Sequence, residues 1–372
     1  MENKILTPEE RLNAAIRLAP VDRVPCAPAI ESYAARFAGI SQYEFLFDYR
    51  KAFHAFAFLK NRYPVWDIRR SSYNMFYGPY QKKIGILRNS IPGIDLPADY
   101  EIQFSEFEIM HREDYFTIIK NGYDFYETEY FKRAHGTTKE DIKEAKKEKI
   151  QIQLKEIEAS NSCGQVYLYG AGTTSADEMI SYTRSFPEFI KDLYQVPELM
   201  EEIISIATDF SIRECKETVK KTSIPRVMIG MSRMNGRYFS LSYFEKFSWK
   251  HLKRLIESLI VEDITPFVHL DGEWRLNLPY FLELPKRKIV IELDGNTDIF
   301  LAKKILGEHS CLLGDVPSTM FAVETPDDVR NYCSRLLKEV GQGGGFILGS
   351  GCALPYQAEH SNVEAFFNCL SN

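Results

Sequence analysis

The sequence predicts an α/β protein whose fold is a (β/α)8 TIM barrel. Eight short apolar runs recur along the 372 residues, and each ends in Gly, Asp, Asn or Ser before a helical pattern. Eight is the number of strands that closes such a barrel. An open doubly wound sheet is the alternative, but no GxGxxG follows the first run. The predicted strands are VPCAPAI (24–30), YPVWDI (63–68), QVYLYGAG (165–172), RVMIGMS (226–232), PFVHLDG (266–272), KIVIELDG (288–295), SCLLGDV (310–316) and GGFILGSG (344–351).

Helical patterns separate the later strands and begin the chain. The stretch ETPDDVRNYCSRLLKEVGQ (324–342) opens with acidic residues and a proline in its first turn and closes in glycine, which are start and stop signals of a helix. SYFEKFSWKHLKRLIESLIVE (242–262) is also periodic, and the opening segment predicts an amphipathic helix. One domain over residues 1–372 is therefore expected.

Residues 84–159 do not fit the barrel repeat and predict an insertion between strands 2 and 3. EIQFSEFEIM and YFTIIKNGYDFYETEYF alternate in hydrophobicity, and Asn121-Gly122 between such runs predicts a hairpin. TTKEDIKEAKKEKIQIQLKEIEAS (137–160) predicts a charged, exposed helix. We expect a β-meander plus a helix that acts as a surface lid or packing element rather than in catalysis.

Composition excludes several classes of function. The 46 basic and 52 acidic residues give a net charge of −6, without the basic stripe of a nucleic-acid binder. No apolar run approaches the roughly 20 residues that span a bilayer, and no signal segment is recognisable, so a cytoplasmic protein is expected. The 7 cysteines are never at CxxC spacing, which argues against a disulfide framework and a zinc ribbon. The 13% aromatic content could line a pocket for a flat substrate.

The active site of such a barrel lies at the carboxyl ends of its strands. Polar residues collect there in the predicted order, and they are rich in carboxylates. They are Glu31, Ser32, Tyr33, Asp67, residues 170–174, Ser232, Arg233, Asn235, His269, Asp271, Glu273, Glu292, Asp294, Asn296, Asp298, Asp315, Ser350 and Cys352.

The stretch HLDGEW (269–274) predicts a pair of functional side chains. Alternation along a strand sends His269 and Asp271 to the same side. They form either a hydrogen-bonded pair or part of a metal site. With Cys352 they would supply the three protein ligands of a catalytic zinc, although a lone histidine is more often hydrogen-bonded and a lone cysteine more often packed.

Three stretches carry a resemblance to a known family. TPEERLNAAIRLAPVDRVPCAP (7–28), HLDG (269–272), and GGGFILGSGCALP (343–355) followed by NVEAFF (362–367) are similar to the uroporphyrinogen decarboxylase superfamily, within it the zinc-dependent, corrinoid-linked methyltransferases. The resemblance covers nearly the whole chain. It implies zinc held by His269, Asp271 and Cys352, with Asp271 in place of the cysteine of the methylcobalamin:coenzyme M branch, and a corrinoid (cobalamin) carried by a partner protein.

The departure at Asp271 bears on the reaction. A carboxylate makes a zinc site harder than a thiolate does, which suits polarising an oxygen rather than activating a thiol. The chain also resembles the methyltransferase components of O-demethylases, which implies methyl transfer from an aryl methyl ether to corrinoid cobalt. Asp271 or Glu273 is then a candidate acid for the leaving oxygen. The candidate substrate-binding residues are Glu31, Tyr33, Phe37, Ser232, Asp294 and Asp315.

Other interpretations stay open. The acceptor could be a thiol or a folate, with methylcorrinoid as donor, or the barrel could be an inactive binding subunit. Decarboxylation of a polyanionic porphyrinogen is disfavoured by Glu31, where cationic residues are expected. A zinc pattern known in one demethylase also matches Glu324, Glu339 and His360. Two of these residues bracket a predicted helix and would stand roughly 22 Å apart, so a shared ion is not expected.

Overall fold

A ring of parallel strand pairings closes the structure, a computed structural model that describes residues 5–70 and 73–370 except the side chain of Asn74. The strands are β1 (Ile68–Arg69), β2 (Arg88–Ser90), β3 (Gln103–Ser105), β4 (Val166–Tyr167), β5 (Ala171–Thr174), β6 (Arg226–Met231), β7 (Thr265–Leu270), β8 (Val290–Leu293), β9 (Cys311–Val316) and β10 (Phe346–Ser350). β5 to β10 form one parallel sheet of six strands, in the order β10-β9-β8-β7-β6-β5.

The first three barrel strands, which are the segment around Cys26, β1 and β4, complete the ring. Cys26 makes a parallel bridge to Leu348 of β10, and Ile68 N donates to Cys26 O at 3.0 Å. β1 pairs with β4 in parallel, and Gly170 N then donates to Arg226 O at 2.8 Å, which joins the third strand to β6. The predicted (β/α)8 barrel is confirmed, although its first strand is reduced to a bridge and its second begins only at Ile68.

Helices surround this ring. They span Pro8–Ile16, Ser32–Ala38, Gln42–Phe47, Tyr49–Arg62, Tyr73–Phe76, Gly78–Ile84, Asp114–Asn121, Tyr123–His135, Lys139–Ser162, Ala176–Arg184, Phe186–Gln195, Pro197–Thr222, Leu241–Tyr243, Lys250–Ile260, Ile299–Leu306, Met320–Val323, Pro326–Glu339 and His360–Asn368, with a π-helical turn at Phe244–Trp249 and a 3-10 helix at Leu278–Glu283. The predicted start near residue 324 is confirmed, because Thr325 and Asp328 form a reciprocal capping box there. Within the described residues, no helix is both long and apolar enough to cross a membrane.

Alternation along the strands fills the barrel and leads to its open end. Phe267 of β7, Val290 of β8 and Leu313 of β9 belong to an interior cluster. The helix Pro8–Ile16 adds Leu12 to that cluster, so this helix covers the amino ends of the strands. Residues two positions further along each strand lie at the opposite end, which we call the mouth. The functional side chains predicted on β7 and β8 lie there.

The insertion is largely helical, so the predicted hairpin at Asn121-Gly122 is wrong. Gly122 lies between two helices, Asp114–Asn121 and Tyr123–His135, with a positive φ of 84°. The second helix buries Tyr123, Tyr126, Tyr130 and Phe131, a helical spacing that outweighs the local alternation. The antiparallel pairing in this segment joins β2 to β3 over three residues each.

The charged helix predicted at 137–160 is confirmed as Lys139–Ser162, but the expectation that it is exposed is wrong for one face, where Ile142, Ile152 and Glu156 are buried. Thr138 begins it with a capping box to Asp141. That residues 1–372 form a single domain stays a prediction, and residues 1–4, 71–72 and 371–372 lie outside the described residues.

Candidate metal centre

The carboxyl end of β7 brings His269 and Asp271 together. His269 lies two residues after the interior Phe267, and its Nε2 is 3.1 Å from Asp271 Oδ1. Asp271 N donates to Met231 O at 2.9 Å, which fixes the chain just beyond the strand. Gly272 follows at a φ of 95°, a conformation that favours glycine and turns the chain away from the mouth. The sequence pair is therefore a contact pair in space.

Cys352 joins this pair from the loop after β10. One ligand atom from each of His269, Asp271 and Cys352 lies within 4.8 Å of the other two. Zinc bonds of about 2.0 to 2.3 Å require ligand atoms less than about twice that length apart, so the three positions fit one ion after a small inward shift. The three donors are one nitrogen, one oxygen and one sulfur, a set that suits zinc and leaves a fourth position for a substrate. Zinc at these residues stays a prediction.

The other nitrogen of His269 is held by a buried carboxylate. Glu292 Oε2 on β8 is 3.1 Å from His269 Nδ1. Arg70 donates to the same oxygen at 2.9 Å, and the Tyr169 hydroxyl donates to Oε1. With Glu292 as the acceptor at Nδ1, Nε2 is the nitrogen that faces Asp271, and it would bind a metal ion after losing its proton. This is the carboxylate–histidine arrangement that orients metal-binding histidines.

Electrostatics in this cluster favour the charged forms. Burial disfavours an ionised Glu292, but Arg70 and His269 outweigh it and hold the pKa of that carboxyl at about 2. Burial likewise opposes a charged His269, yet Asp271, Cys352 and Glu292 hold the imidazole pKa well above its usual value. Burial raises the pKa of Asp271 less than His269 lowers it. The surroundings of His269 Nε2 therefore stabilise positive charge, which a metal ion would also supply.

Arg70 ties three strands to this centre. It extends from the end of β1, pairs with Glu292 on β8, and donates through Nη1 to the carbonyl of Ser350 on β10 at 2.8 Å. Sequence reasoning missed Arg70 and Tyr169 and assigned no role to Glu292. Alternation could have found Arg70, because it lies two residues beyond the interior Ile68.

Ser232, Asp294 and Glu273 have structural partners at the mouth. The backbone N and the hydroxyl of Ser232 donate to the buried Glu178 carboxylate. Asp294 accepts from the backbone N of Gly272 at 2.8 Å, so its carboxylate stabilises a turn. Ser232 and Glu273 both line an open polar cleft of about 470 Å³ beside Gly272. Their functional roles stay predictions.

A second, more apolar cavity of about 390 Å³ lies next to Cys352. Ser318 lines it, and the Ser318 hydroxyl accepts from Cys352 N at 3.2 Å. Ala353 and Leu354, which follow Cys352, line it as well. Glu31, predicted to bind substrate, is part of the same wall.

Tyr33 and Phe37, predicted as pocket wall, do not line this cavity. The Tyr33 hydroxyl lies 2.7 Å from His360 Nδ1. The Phe37 ring packs 6.0 Å from that of Tyr33 and 5.2 Å from that of Phe58. Both aromatic residues therefore pack the Ser32–Ala38 helix against its neighbours.

Two further carboxylates predicted at the mouth have other partners. Asp315 accepts from the hydroxyl of Tyr332 on a surrounding helix at 2.9 Å, and burial raises the pKa of Asp315 to about 7. Asp67 precedes β1, because that strand begins one residue later, and pairs with Arg11 at 2.8 Å and Arg23 at 2.6 Å. Asp67 therefore lies at the amino end of the barrel, and its prediction at the mouth is wrong.

The alternative zinc pattern is not assembled. Glu324 and Glu339 bracket the helix Pro326–Glu339, so their carboxylates are separated by its length of roughly 20 Å. His360 contacts the Tyr33 hydroxyl through Nδ1. The separation of the two glutamates agrees with the helix length on which the sequence-based argument against a shared ion rests.

Comparisons with known proteins agree with this architecture. A methyltransferase from Methanosarcina mazei superposes with a TM-score of 0.71 over 98% of each chain at 15% sequence identity, a level that supports the fold alone. A uroporphyrinogen decarboxylase from Chromohalobacter salexigens is 24% identical over 142 residues, which span 36% of this chain and 38% of that protein. The uroporphyrinogen decarboxylase (URO-D) family profile matches residues 133–372, β4 through β10 included. The chain thus belongs to the uroporphyrinogen decarboxylase family.

Proposed function

We propose that the protein is a methyltransferase that moves a methyl group from an aromatic methyl ether to the cobalt of a corrinoid carried by a partner protein. The observation that carries the proposal is the convergence of His269, Asp271 and Cys352 at the mouth, in a fold shared with a methyltransferase. These residues would hold a zinc ion with an open position. When bound, zinc would supply Lewis acidity toward the oxygen of the donor.

The donor set supports an ether rather than a thiol. Asp271 contributes a carboxylate oxygen beside the nitrogen of His269 and the sulfur of Cys352. One carboxylate makes the set harder than a second thiolate would, and hard ions prefer oxygen. Arg70 and Arg233 near the mouth are each paired with a carboxylate, and Arg237 lines the open cleft as a single exposed arginine. That pairing does not favour a polyanionic porphyrinogen as substrate.

Methyl transfer divides the electrons in a defined way. The bond between methyl carbon and ether oxygen breaks, and its electron pair stays on the oxygen as a phenolate. The methyl carbon bonds to cobalt, which enters as Co(I) and provides the new electron pair. The phenolate then needs a proton. An Asp271 carboxylate that acts as a ligand has none to give, so Glu273, which lines the open cleft and can take up a proton from water there, is the better candidate donor.

The test combines metal content with methyl transfer. Zinc would be measured by plasma mass spectrometry in the wild type, His269→Ala and Cys352→Ala, with the exposed His54→Ala and the half-buried Cys163→Ala as matched controls. Transfer would be followed as loss of free cob(I)alamin absorbance with a panel of aryl methyl ethers. We expect about one zinc per chain and transfer in the wild type and controls, and loss of both in the two site variants.

Three outcomes would contradict the proposal. Transfer that survives loss of zinc would remove the metal from the reaction. Consumption of methylcobalamin with a thiol or folate, and none of cob(I)alamin with ethers, would reverse the direction of transfer. Absence of both zinc and transfer would favour a binding subunit.

A further inference from the structure

The cavity of about 390 Å³ beside Cys352 has the properties of a binding site for an aromatic ring. Its volume lies within the roughly 300 to 1,000 Å³ of small-molecule sites. Aromatic side chains form much of its wall: Phe45, Phe56, Tyr73, Phe76 and Phe104. Such rings favour a flat apolar ligand through stacked and edge-to-face contacts.

The loop after β10 connects this cavity, along the chain, to one of the candidate metal ligands. Ala353 and Leu354 of that loop form part of the wall, directly after Cys352. Leu354 N donates to Ala29 O at 2.9 Å, which holds the loop against the segment that leads to Glu31. A ligand in the cavity would therefore contact the residues that directly follow Cys352.

The insertion supplies the outer wall. Glu101, Ile102 and Phe104 of the insertion line the cavity. The carboxylate of Glu101 accepts from Tyr356 N at 2.7 Å, a bond that ties the insertion to the loop after β10. The insertion is thus part of the cavity and not only a surface element.

The charges of the wall are of one sign. Two acidic side chains, Glu31 and Glu101, line the cavity, and none of the described residues that line it is a lysine, arginine or histidine. A carboxylate on the ring of a ligand would meet like charge in this wall, and none of the described side chains that line it would offer a cation to pair with. A hydroxyl group on the ring would instead find acceptor oxygens.

From this arrangement we propose that the cavity binds the methyl donor as an uncharged aryl methyl ether and rejects ethers that carry a ring carboxylate. The inference rests on the proposed function for the reaction, but it is a statement about binding that needs neither corrinoid nor transfer.

Calorimetric titration of the purified protein with matched ligands, with zinc bound and after a chelator has removed it, tests the inference, because only the metal-free titration reports the wall without capture of a carboxylate by zinc. 3-Methoxyphenol and 3-methoxybenzyl alcohol are uncharged, whereas 3-methoxybenzoate differs from the alcohol mainly in its charge. We expect the benzoate to bind at least tenfold more weakly than the alcohol. The double variant Glu31→Gln and Glu101→Gln should reduce that difference to less than threefold. Glu308→Gln, an exposed carboxylate at the far end of the barrel, is the control and should preserve it.

Different results would contradict the binding inference and the proposed methyl transfer. Benzoate binding equal to or tighter than that of the alcohol would overturn the inference while leaving methyl transfer intact. Preference for a quaternary ammonium ion over all aryl ethers would overturn it as well. Selective binding of the uncharged ethers without transfer to cob(I)alamin would support the cavity and contradict the proposed reaction. Should the double variant fail to fold, Phe104→Ala tests the same wall and should weaken binding of both uncharged ethers.

Discussion

Two clusters of the same composition lie on opposite faces of β1. Each joins an arginine, a glutamate and a tyrosine, and in each the tyrosine hydroxyl donates to the carboxylate. Arginine and glutamate are 2.9 Å apart in the inner cluster and 3.0 Å apart in the outer one. The inner cluster is Arg70, Glu292 and Tyr169, and the outer cluster is Arg69, Glu156 and Tyr167.

The two clusters differ in the residue that each contacts beyond its own three members. Glu292 reaches His269 Nδ1, so the inner cluster orients a candidate metal ligand. Glu156 lies on the helix Lys139–Ser162, and the guanidinium of Arg69 lies 3.7 Å from the centre of the Phe56 ring, so the outer cluster packs the insertion against the barrel. A buried ion pair is therefore not by itself a sign of a functional site. Whether such a pair serves a functional site depends on the residue that the pair contacts next.

Replacement of Glu292 by glutamine is expected to have the largest effect. Zinc affinity should fall about 10- to 100-fold, because His269 loses the carboxylate that orients it. The free energy of unfolding should fall by about 3 to 5 kcal/mol, because Arg70 stays buried without its counter-charge. Chelator competition measures the affinity, and urea unfolding of the metal-free protein measures the stability.

Glu156→Gln is the matched control for that change. It leaves Arg69 buried without a counter-charge, so a similar loss of about 3 to 5 kcal/mol is expected. Zinc affinity should be unchanged, because Glu156 contacts Arg69 and Tyr167 on the outer face. Equal losses of zinc affinity in the two variants would mean that general destabilisation, and not orientation of His269, controls metal binding.

An element of the fold can be predicted from the sequence when its hydrophobic pattern fits one secondary structure only. Strands such as Thr265–Leu270 and Phe346–Ser350 were predictable, because apolar runs buried on both faces end in small or polar residues. The helix Tyr123–His135 was not, because its aromatic residues satisfy a period of two locally and a period of 3.6 over the whole segment. Packing of Tyr123 against the ring of Phe210, 5.0 Å away, belongs to the tertiary structure.

The residues of the candidate metal centre also include some that the sequence predicts and some that it does not. The proximity of His269, Asp271 and Cys352 was predictable, because each lies at or just beyond the carboxyl end of a strand and the family resemblance points to the same three positions. Tyr169 was not, since alternation from Tyr167 would place both tyrosines on the outer face. The strand is interrupted between β4 and β5, and the interruption turns Tyr169 inward to Glu292.

Replacing the tyrosine of each cluster compares the two clusters again, with smaller expected losses of stability and zinc affinity. Tyr169→Phe and Tyr167→Phe each remove one hydrogen bond to a buried carboxylate, a contribution of about 1.5 to 3 kcal/mol. We expect similar losses of stability in the two variants by urea unfolding. Zinc affinity should fall in Tyr169→Phe alone, and by less than in Glu292→Gln, because Arg70 still holds Glu292. A loss of affinity in Tyr167→Phe would join the two clusters into one network.

Tyr33→Phe should have the smallest effect. It tests whether Tyr33 lies outside the cavity of about 390 Å³ beside Cys352. Its hydroxyl contacts His360 outside that cavity, and a hydrogen bond of this kind contributes about 0.5 to 1.5 kcal/mol. Affinity for 3-methoxyphenol should be unchanged in calorimetry, whereas Phe56→Leu, in the cavity wall, should weaken it. Weaker ligand binding in Tyr33→Phe would return Tyr33 to the pocket. Weaker binding in Phe56→Leu, whose ring packs against Arg69, would connect the outer cluster to the wall of that cavity.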